Sequence, residues 1–231
     1  MNTAITIIIN IKKMKDRFIT ANDAFHYYND IINNIGVDFD NTKAMFNIGF
    51  YIERPMINTI SNSERVKRNW KEEYAEAEWQ WYLSGDRNVK KLEEIYGKVP
   101  EIWRHMTDEK GNVNSNYGWQ WLRGRQLDNV ITMLKSNPNT RQAAISIYDG
   151  KEIVDYENDT PCTYAVQFTV FKGKLDMCVT MRSNDLWYGF CNDQYCFSNL
   201  LALVAHETGY PIGEYYHFAH NLHLYNDKIN E

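Results

Sequence analysis

The sequence contains no run of apolar residues long enough to cross a bilayer as a helix. Its most apolar stretch near the start, Ala4 to Ile11, is too short, and Lys12, Lys13 and Lys15 follow it where a secretion signal would have them in front. Neither a signal peptide nor an anchor is expected, and no membrane partner. A basic excess is also missing: 25 Lys and Arg stand against 30 Asp and Glu, a formal net charge of −5, which gives no support to a generic nucleic-acid-binding role. A local basic pocket is still compatible with that balance. The four cysteines, Cys162, Cys178, Cys191 and Cys196, form no CxxC pair and have no close metal-ligand spacing, so neither a metal site nor a disulfide framework is expected. Reduced thiols in a cytoplasmic protein are the corresponding expectation. With no repeat, no Gly/Ser linker and no low-complexity tract, residues 1–231 read as a single domain. Apolar and aromatic surface is what the chain has in quantity: 44% hydrophobic residues, with 7 Trp, 16 Tyr and 10 Phe, suit a protein that buries a core.

Thr20 or Asn22 can cap a helix through Phe25, Tyr28, Ile31 and Ile32, which share one face before Gly36 stops it. Residues 44–52 read as extended. Glu72 to Leu83 form a second helical stretch, rich in aromatics, ended by Ser84-Gly85-Asp86. Leu127, Val130, Ile131 and Leu134 mark a third, closed by Asn137-Pro138. After it the period becomes two, at 144–148, at 164–171, and at Leu175, Met177, Val179 and Met181, the last two segments joined by a hairpin at Lys172-Gly173. A long helix with Phe197, Leu200, Leu201 and Val204 on one stripe runs toward Gly209, and Tyr215 to Tyr225 alternates again. Helices interspersed with mostly antiparallel strands predict an α+β fold with one sheet.

Glu78 has Tyr74 four residues before it and Trp81 and Tyr82 three and four after. Two readings fit that spacing: a carboxyl desolvated in an aromatic stripe, its pKa raised, or one at the stripe's edge reaching water. Cys162 follows Pro161 at a strand start, close to the polar residues Glu157, Asn158, Asp159 and Thr160. It is either an inert small hydrophobe or a thiol that needs a neighbouring cation to become nucleophilic. Alternation puts Arg182 on one face with Cys178 and Thr180, as that cation or as a surface arginine. The run Met181 to Asp193 sets polar groups among aromatics where a strand hands over to a buried helix, which suits anion and base recognition or a capped loop. His217, Asn221, His223 and Tyr225 share one face of the last strand, lining a pocket or facing solvent.

Taken together and in this order, the stretches Glu78 to Asp86, Ile102-Trp103, Asn114 to Trp119, Asn137 to Arg141, Pro161-Cys162-Thr163 with Gln167-Phe168, Arg182 to Asp193 and His223 to Tyr225 resemble the thymidylate synthase family. More narrowly, they resemble its phage-type branch of deoxycytidylate (dCMP) hydroxymethylases, over about residues 70–226. The resemblance implies a thymidylate synthase-like α+β fold and one-carbon transfer from 5,10-methylenetetrahydrofolate to carbon 5 of a pyrimidine nucleotide, with no metal. It implies Cys162 as the nucleophile that adds to carbon 6, Glu78 as the acid that organises water and relays protons, and Tyr117 in the proton-relay region. Arg182 would lower the thiol pKa and, with Ser183 and Arg141, hold the 5′-phosphate. Arg141 would come from the opposite subunit of a homodimer. Asp185 and Trp103, with Glu78, match positions near the pterin; His223 and Tyr225 match those that bond the sugar 3′-hydroxyl, and Gly189 lies in the substrate-binding run. The location implied is the cytoplasm, that of the host for a phage-encoded chain.

Base choice turns on Asp193, where the synthases carry Asn. Uracil presents a ring N–H donor and a carbonyl acceptor, which a carboxamide satisfies; cytosine presents an acceptor and an amino donor, which suit a carboxyl that shares a proton with the ring. Leaving such partners unpaired rejects the wrong base. Thr163, where the synthases usually have His, points the same way. Gln142 stands where the family usually has a second phosphate arginine, leaving Lys43 or Arg54 as candidate cations. The sequence stops at Glu231, soon after Tyr225, from which an open folate site that admits water and favours hydroxymethylation is expected. Residues 1–19 fall outside the resemblance as an N-terminal extension. The leading expectation is conversion of dCMP to 5-hydroxymethyl-dCMP with release of tetrahydrofolate. Alternatives are a dCMP methylase, a CMP or dUMP hydroxymethylase of the same fold, and a non-catalytic nucleotide- or RNA-binding regulator. Glu78, Cys162, Arg182, Asp185 and Asp193 occurring together argue against the last.

Overall fold

One mixed sheet organises the protein, whose computed structural model describes residues 14–57, 60–152, 156 and 158–231. The apolar stretch Ala4 to Ile11, Lys12, Lys13 and Glu157 lie outside the described residues. The strands are β1 (Arg17–Phe18), β2 (Val37–Phe39), β3 (Thr42–Ile52), β4 (Ala144–Ser146), β5 (Thr163–Phe171), β6 (Lys174–Met181), β7 (Asn184–Asp185) and β8 (Ile212–Tyr225). Their order is β1-β3-β8-β6-β5-β4, with β2 added to β3 and β7 to β8. β3 and β8 pair antiparallel from Thr42 opposite Tyr225 to Ile52 opposite Tyr215. β5 and β6 form the predicted hairpin, whose turn residues Lys172 and Gly173 both have positive φ, as a two-residue turn between twisted strands requires. Three pairs depart from the antiparallel expectation: β1 with β3, β6 with β8, and β7 with β8 are parallel. The second is possible because a helix carries the chain back between its strands.

The helices are α1 (Ala21–Ile35), α2 (Asn62–Lys67), α3 (Glu72–Ser84), α4 (Val89–Tyr96), α5 (Glu101–Met106), α6 (Tyr117–Leu122), α7 (Gln126–Ser136) and α8 (Phe190–Thr208). α1 starts at the expected cap, where Thr20 and Asp23 satisfy each other's backbone N–H groups. α3 and α8 stop at Gly85 and Gly209, each in the left-handed conformation. α8 is the crossover between β6 and β8, and it is buried on most sides: Phe190, Phe197, Leu200, Leu201 and Val204 are all 0% exposed. α1, α3 and α7 pack beside it over the inner face of the sheet, and their buried side chains form one contiguous core. On the outer face Tyr51, Cys178, Tyr216 and Phe218 are only half-buried. Among the described residues no helix is long and apolar enough to cross a membrane.

Candidate active site

β5 begins with a bulge: Thr163 pairs with Met181 but Ala165 with Thr180, so Tyr164 is the extra residue. The bulge leaves Thr163 fully buried, Tyr164 exposed, and Cys162 half-buried beside the end of β6. Arg182 follows β6 directly and wraps the cysteine's own loop. Its Nε donates to Pro161 O at 3.0 Å, its Nη2 donates to Thr160 O at 2.7 Å, and Nη2 lies 3.7 Å from Cys162 Sγ. It therefore leaves the outer face, where Cys178 and Thr180 meet each other at 3.9 Å. The expectation of a low thiol pKa is corrected here. Burial pushes the Cys162 thiol up to about 11, and although Arg182 pulls it down, Asp193, Asp159 and Asp185 oppose that. A guanidinium that also serves two carbonyls does not outweigh desolvation.

Asp193 and Asp185 act on this thiol from different elements, and Glu78 is coupled to Asp193. Glu78, on α3, is 4% exposed, so it sits inside the aromatic stripe and not at its edge. Tyr74 Oη donates to its Oε1 at 3.1 Å, and Asn192 Nδ2 donates to its Oε2. Burial raises its pKa to about 7, with Tyr74 and Tyr82 holding it lower than burial alone would. Trp103 joins the same group through Tyr74, its Nε1 donating to Tyr74 Oη at 2.7 Å. Asp193, in the first turn of α8, accepts from Asn184 Nδ2 at 2.8 Å; burial and the nearby Glu78 push its pKa well above the usual carboxylate range. Asp185 ends β7 and caps the turn into α8, accepting from Trp187 N at 2.9 Å and Tyr188 N at 3.1 Å. Burial raises it to about 6 against those N–H groups. Gly189 lets this turn close: a Cβ there would come 3.1 Å from Asp185 O and 3.4 Å from Asp193 Oδ2.

Tyr117, the first residue of α6, is charge-coupled to both Asp193 and Cys162. It is 4% exposed, its ring is 5.1 Å from Phe197, and burial, Asp193 and Cys162 all raise its pKa. Tyr225 is 37% exposed at the end of β8, its pKa raised by burial and by Asp185 and Cys162. His223 is 7% exposed, stands opposite Asp185 in the β7–β8 pairing, and packs edge-on to Tyr225. The polar stripe of β8 thus faces inward at His217 and His223, is half-buried at Asn221 and is exposed at Tyr225. Ser183 is half-buried between Arg182 and β7.

Arg141 is not brought to this group within the chain. Ala144 pairs with Gln167, and Phe168 N–H donates to Ala143 O at 2.8 Å. Continuing that register puts exposed Arg141 about eight residues along β5 from Cys162, roughly 26 Å at ~3.3 Å per residue. Of the two substitute cations, Lys43 is committed elsewhere, its Nζ donating to Asn33 O at 2.7 Å. Arg54 is exposed in the loop after β3.

Four residues of the cluster are given no role by the sequence, namely Tyr74, Asp159, Asn184 and Asn192, while His217 reads only as part of a stripe lining a pocket or facing solvent. Asp159, 3% exposed, accepts from Ser115 N at 2.7 Å and from Ser115 Oγ, which ties the Cys162 loop to the segment leading into α6. Tyr74 was signalled by its i−4 spacing to Glu78, and Asn184 and Asn192 by lying in the 181–193 run. For Asp159 nothing but a polar turn was visible.

The sequence profile of the family described as thymidylate synthase matches residues 64–231. A thymidylate synthase of Corynebacterium aurimucosum is 33% identical over 159 residues, 65% of this chain and 58% of that protein. The match thus spans less than two thirds of that relative's length. The crystal structure of thymidylate synthase from T4 phage superposes with a TM-score of 0.71 at 23% identity, covering 88% of this chain and 76% of that one. Thermostable thymidylate synthase A from Bacillus subtilis gives 0.75 at 24% identity, over 91% and 82%. The fold is the thymidylate synthase-like α+β fold, and with more than half of its length matched, the chain belongs to the thymidylate synthase family.

Proposed function

We propose that the protein is a folate-dependent one-carbon transferase that hydroxymethylates carbon 5 of dCMP, giving 5-hydroxymethyl-dCMP and tetrahydrofolate. The observation that carries the choice of base is the buried Asp193 carboxyl, whose protonated form burial and the nearby Glu78 favour. A neutral carboxyl donates through O–H and accepts through C=O, the pattern that the position 3 and position 4 edge of cytosine answers. Cys162 supplies the nucleophile. As its Sγ bonds to carbon 6 the thiol proton leaves, electron density moves to carbon 5, and the Asp193 proton shared with ring nitrogen 3 stabilises it. With a resting thiol at about 11, this step needs a base and the pull of Arg182. Glu78, poised at about 7 and held by Tyr74 and Asn192, is suited to moving protons through ordered water.

Methylenetetrahydrofolate supplies a carbon at the oxidation level of formaldehyde. Trp103 and Asp185 fit its flat, N–H-bearing ring, since an indole and an acid stand one hydrogen-bonded or charge-coupled neighbour from Glu78 and Asp193. Carbon 5 would gain the one-carbon unit and lose its proton as the bond from that carbon to the folate nitrogen breaks and tetrahydrofolate leaves; water then adds to the exocyclic methylene and the carbon–sulfur bond breaks. Arg182 and Ser183 would hold the 5′-phosphate, and His223 and Tyr225 the sugar. A homodimer is part of the proposal: the half-buried aromatic outer face of the sheet suits a second copy, and Arg141, too distant in its own chain, would complete the partner's site.

The test uses dCMP, CMP and dUMP tritiated at carbon 5 with methylenetetrahydrofolate and mass analysis of the products. Tritium release with a hydroxymethyl gain from dCMP is expected; a methyl product alone, or no release, would refute the proposal. Asp193→Asn is expected to shift preference toward dUMP by a factor on the order of 10².

A further inference from the structure

The Asp193 carboxyl is held from behind by a chain of buried groups that the mechanism above does not use. Asn184 Nδ2 donates to Asp193 Oδ2 at 2.8 Å, Asn184 Oδ1 lies 3.1 Å from His217 Nε2, and His217 Nδ1 lies 3.0 Å from Tyr215 Oη. Asn184 is 2% exposed, and His217 and Tyr215 are 0% exposed. An amide nitrogen can only donate, so Asn184 turns its oxygen toward His217. That makes Nε2 the protonated ring nitrogen and leaves Nδ1 to accept from Tyr215 Oη. Burial keeps His217 neutral, its pKa pushed down to about 3. Each group then has one role, and donation runs from Tyr215 to Asp193 Oδ2. An oxygen that already faces an N–H is a poor place for a second hydrogen, so the proton of a neutral Asp193 belongs on Oδ1.

We propose that Asn184 and His217 are positioning residues for base choice: by fixing Asp193 Oδ2 as acceptor and Oδ1 as hydroxyl, they fit the carboxyl to a ring with an acceptor at position 3 and an amino donor at position 4. This inference rests on the dCMP reading above. Uracil would require the two oxygens to exchange roles, turning an O–H on Oδ2 against the Asn184 N–H. Neither residue touches substrate; both act through Asp193.

The test compares kcat/KM for dCMP and dUMP in wild type, Asn184→Ala, His217→Leu and His217→Gln, with thermal melting alongside. Asn184→Ala and His217→Leu are expected to lower the dCMP to dUMP ratio by on the order of tenfold. His217→Gln, whose amide can still donate to Asn184, should keep more of it. A fall in overall activity or melting temperature with the ratio unchanged is what a merely structural role produces, and it overturns the proposal. Where His217→Leu does not fold, Tyr215→Phe decides, since it removes only the hydroxyl that keeps Nδ1 an acceptor: a lower ratio supports the relay and an unaltered one rejects it. A wild type indifferent to the two bases overturns the dCMP reading and this role with it. A discriminating wild type with an equally discriminating Asn184→Ala overturns this role alone.

Discussion

Replacing the Glu78 carboxyl by an amide separates its charge from its shape. Its folded pKa of about 7 lies above the ordinary 4.5, so the native state binds the proton more tightly than the unfolded chain. The stability this contributes is fully present below about pH 4.5 and is lost as pH rises through about 7. Glu78→Gln does not titrate, so relative to wild type it should gain up to about 3 kcal/mol between about pH 5 and about pH 8. Urea midpoints measured across that range test it, and a difference that stays flat would mean Glu78 is ionised in the fold. Cys162→Ser should abolish tritium release and any covalent adduct while leaving the free energy of urea unfolding within about 1 kcal/mol of wild type, because the change is one atom in a half-buried position. At this scale the resemblance made Cys162, Glu78, Asp193 and Arg182 legible. Asn184 and Asp159 were not, since a lone Asn or Asp has no periodic signature, and for His217 alternation gave the face of the strand but not its partners far away in the chain.

At the scale of elements, α6 meets α3 backbone to backbone. A Cβ on Gly118 would fall 1.7 Å from Tyr82 O, so no side chain fits while Tyr117 remains where it is beside Tyr82 and Phe197. Gly118→Ala should cost about 3 kcal/mol, read as a lowered urea midpoint, and should also lower activity by displacing Tyr117. An unchanged midpoint would show that the two helices part easily. The long elements were readable because burial imposes periods of 3.6 and 2 on α1, α3, α7, α8 and the strands. α2, α5 and α6, of six residues each, are too short for a period to register, and alternation in β6 and β8 says which face is buried but nothing about strand direction.

For the whole molecule, the distance between Arg141 and Cys162 makes a subunit-mixing experiment decisive. Homodimers of Arg141→Ala and of Cys162→Ser should each be inactive. Unfolded together and refolded at equal amounts, they should regain about a quarter of wild-type activity, because half of the dimers pair one intact site with one doubly defective site. No recovery would mean that each chain builds its site alone. The pairing of the sheet bears on how the protein is made. β8 lies between β3 and β6 yet follows both in the chain. A nascent polypeptide leaving the ribosome therefore presents two unsatisfied edges until the last of these strands emerges, and its arrival closes both in one event. The interval between translation of β3 and translation of β8 is when the chain is most exposed to aggregation and has most need of a chaperone.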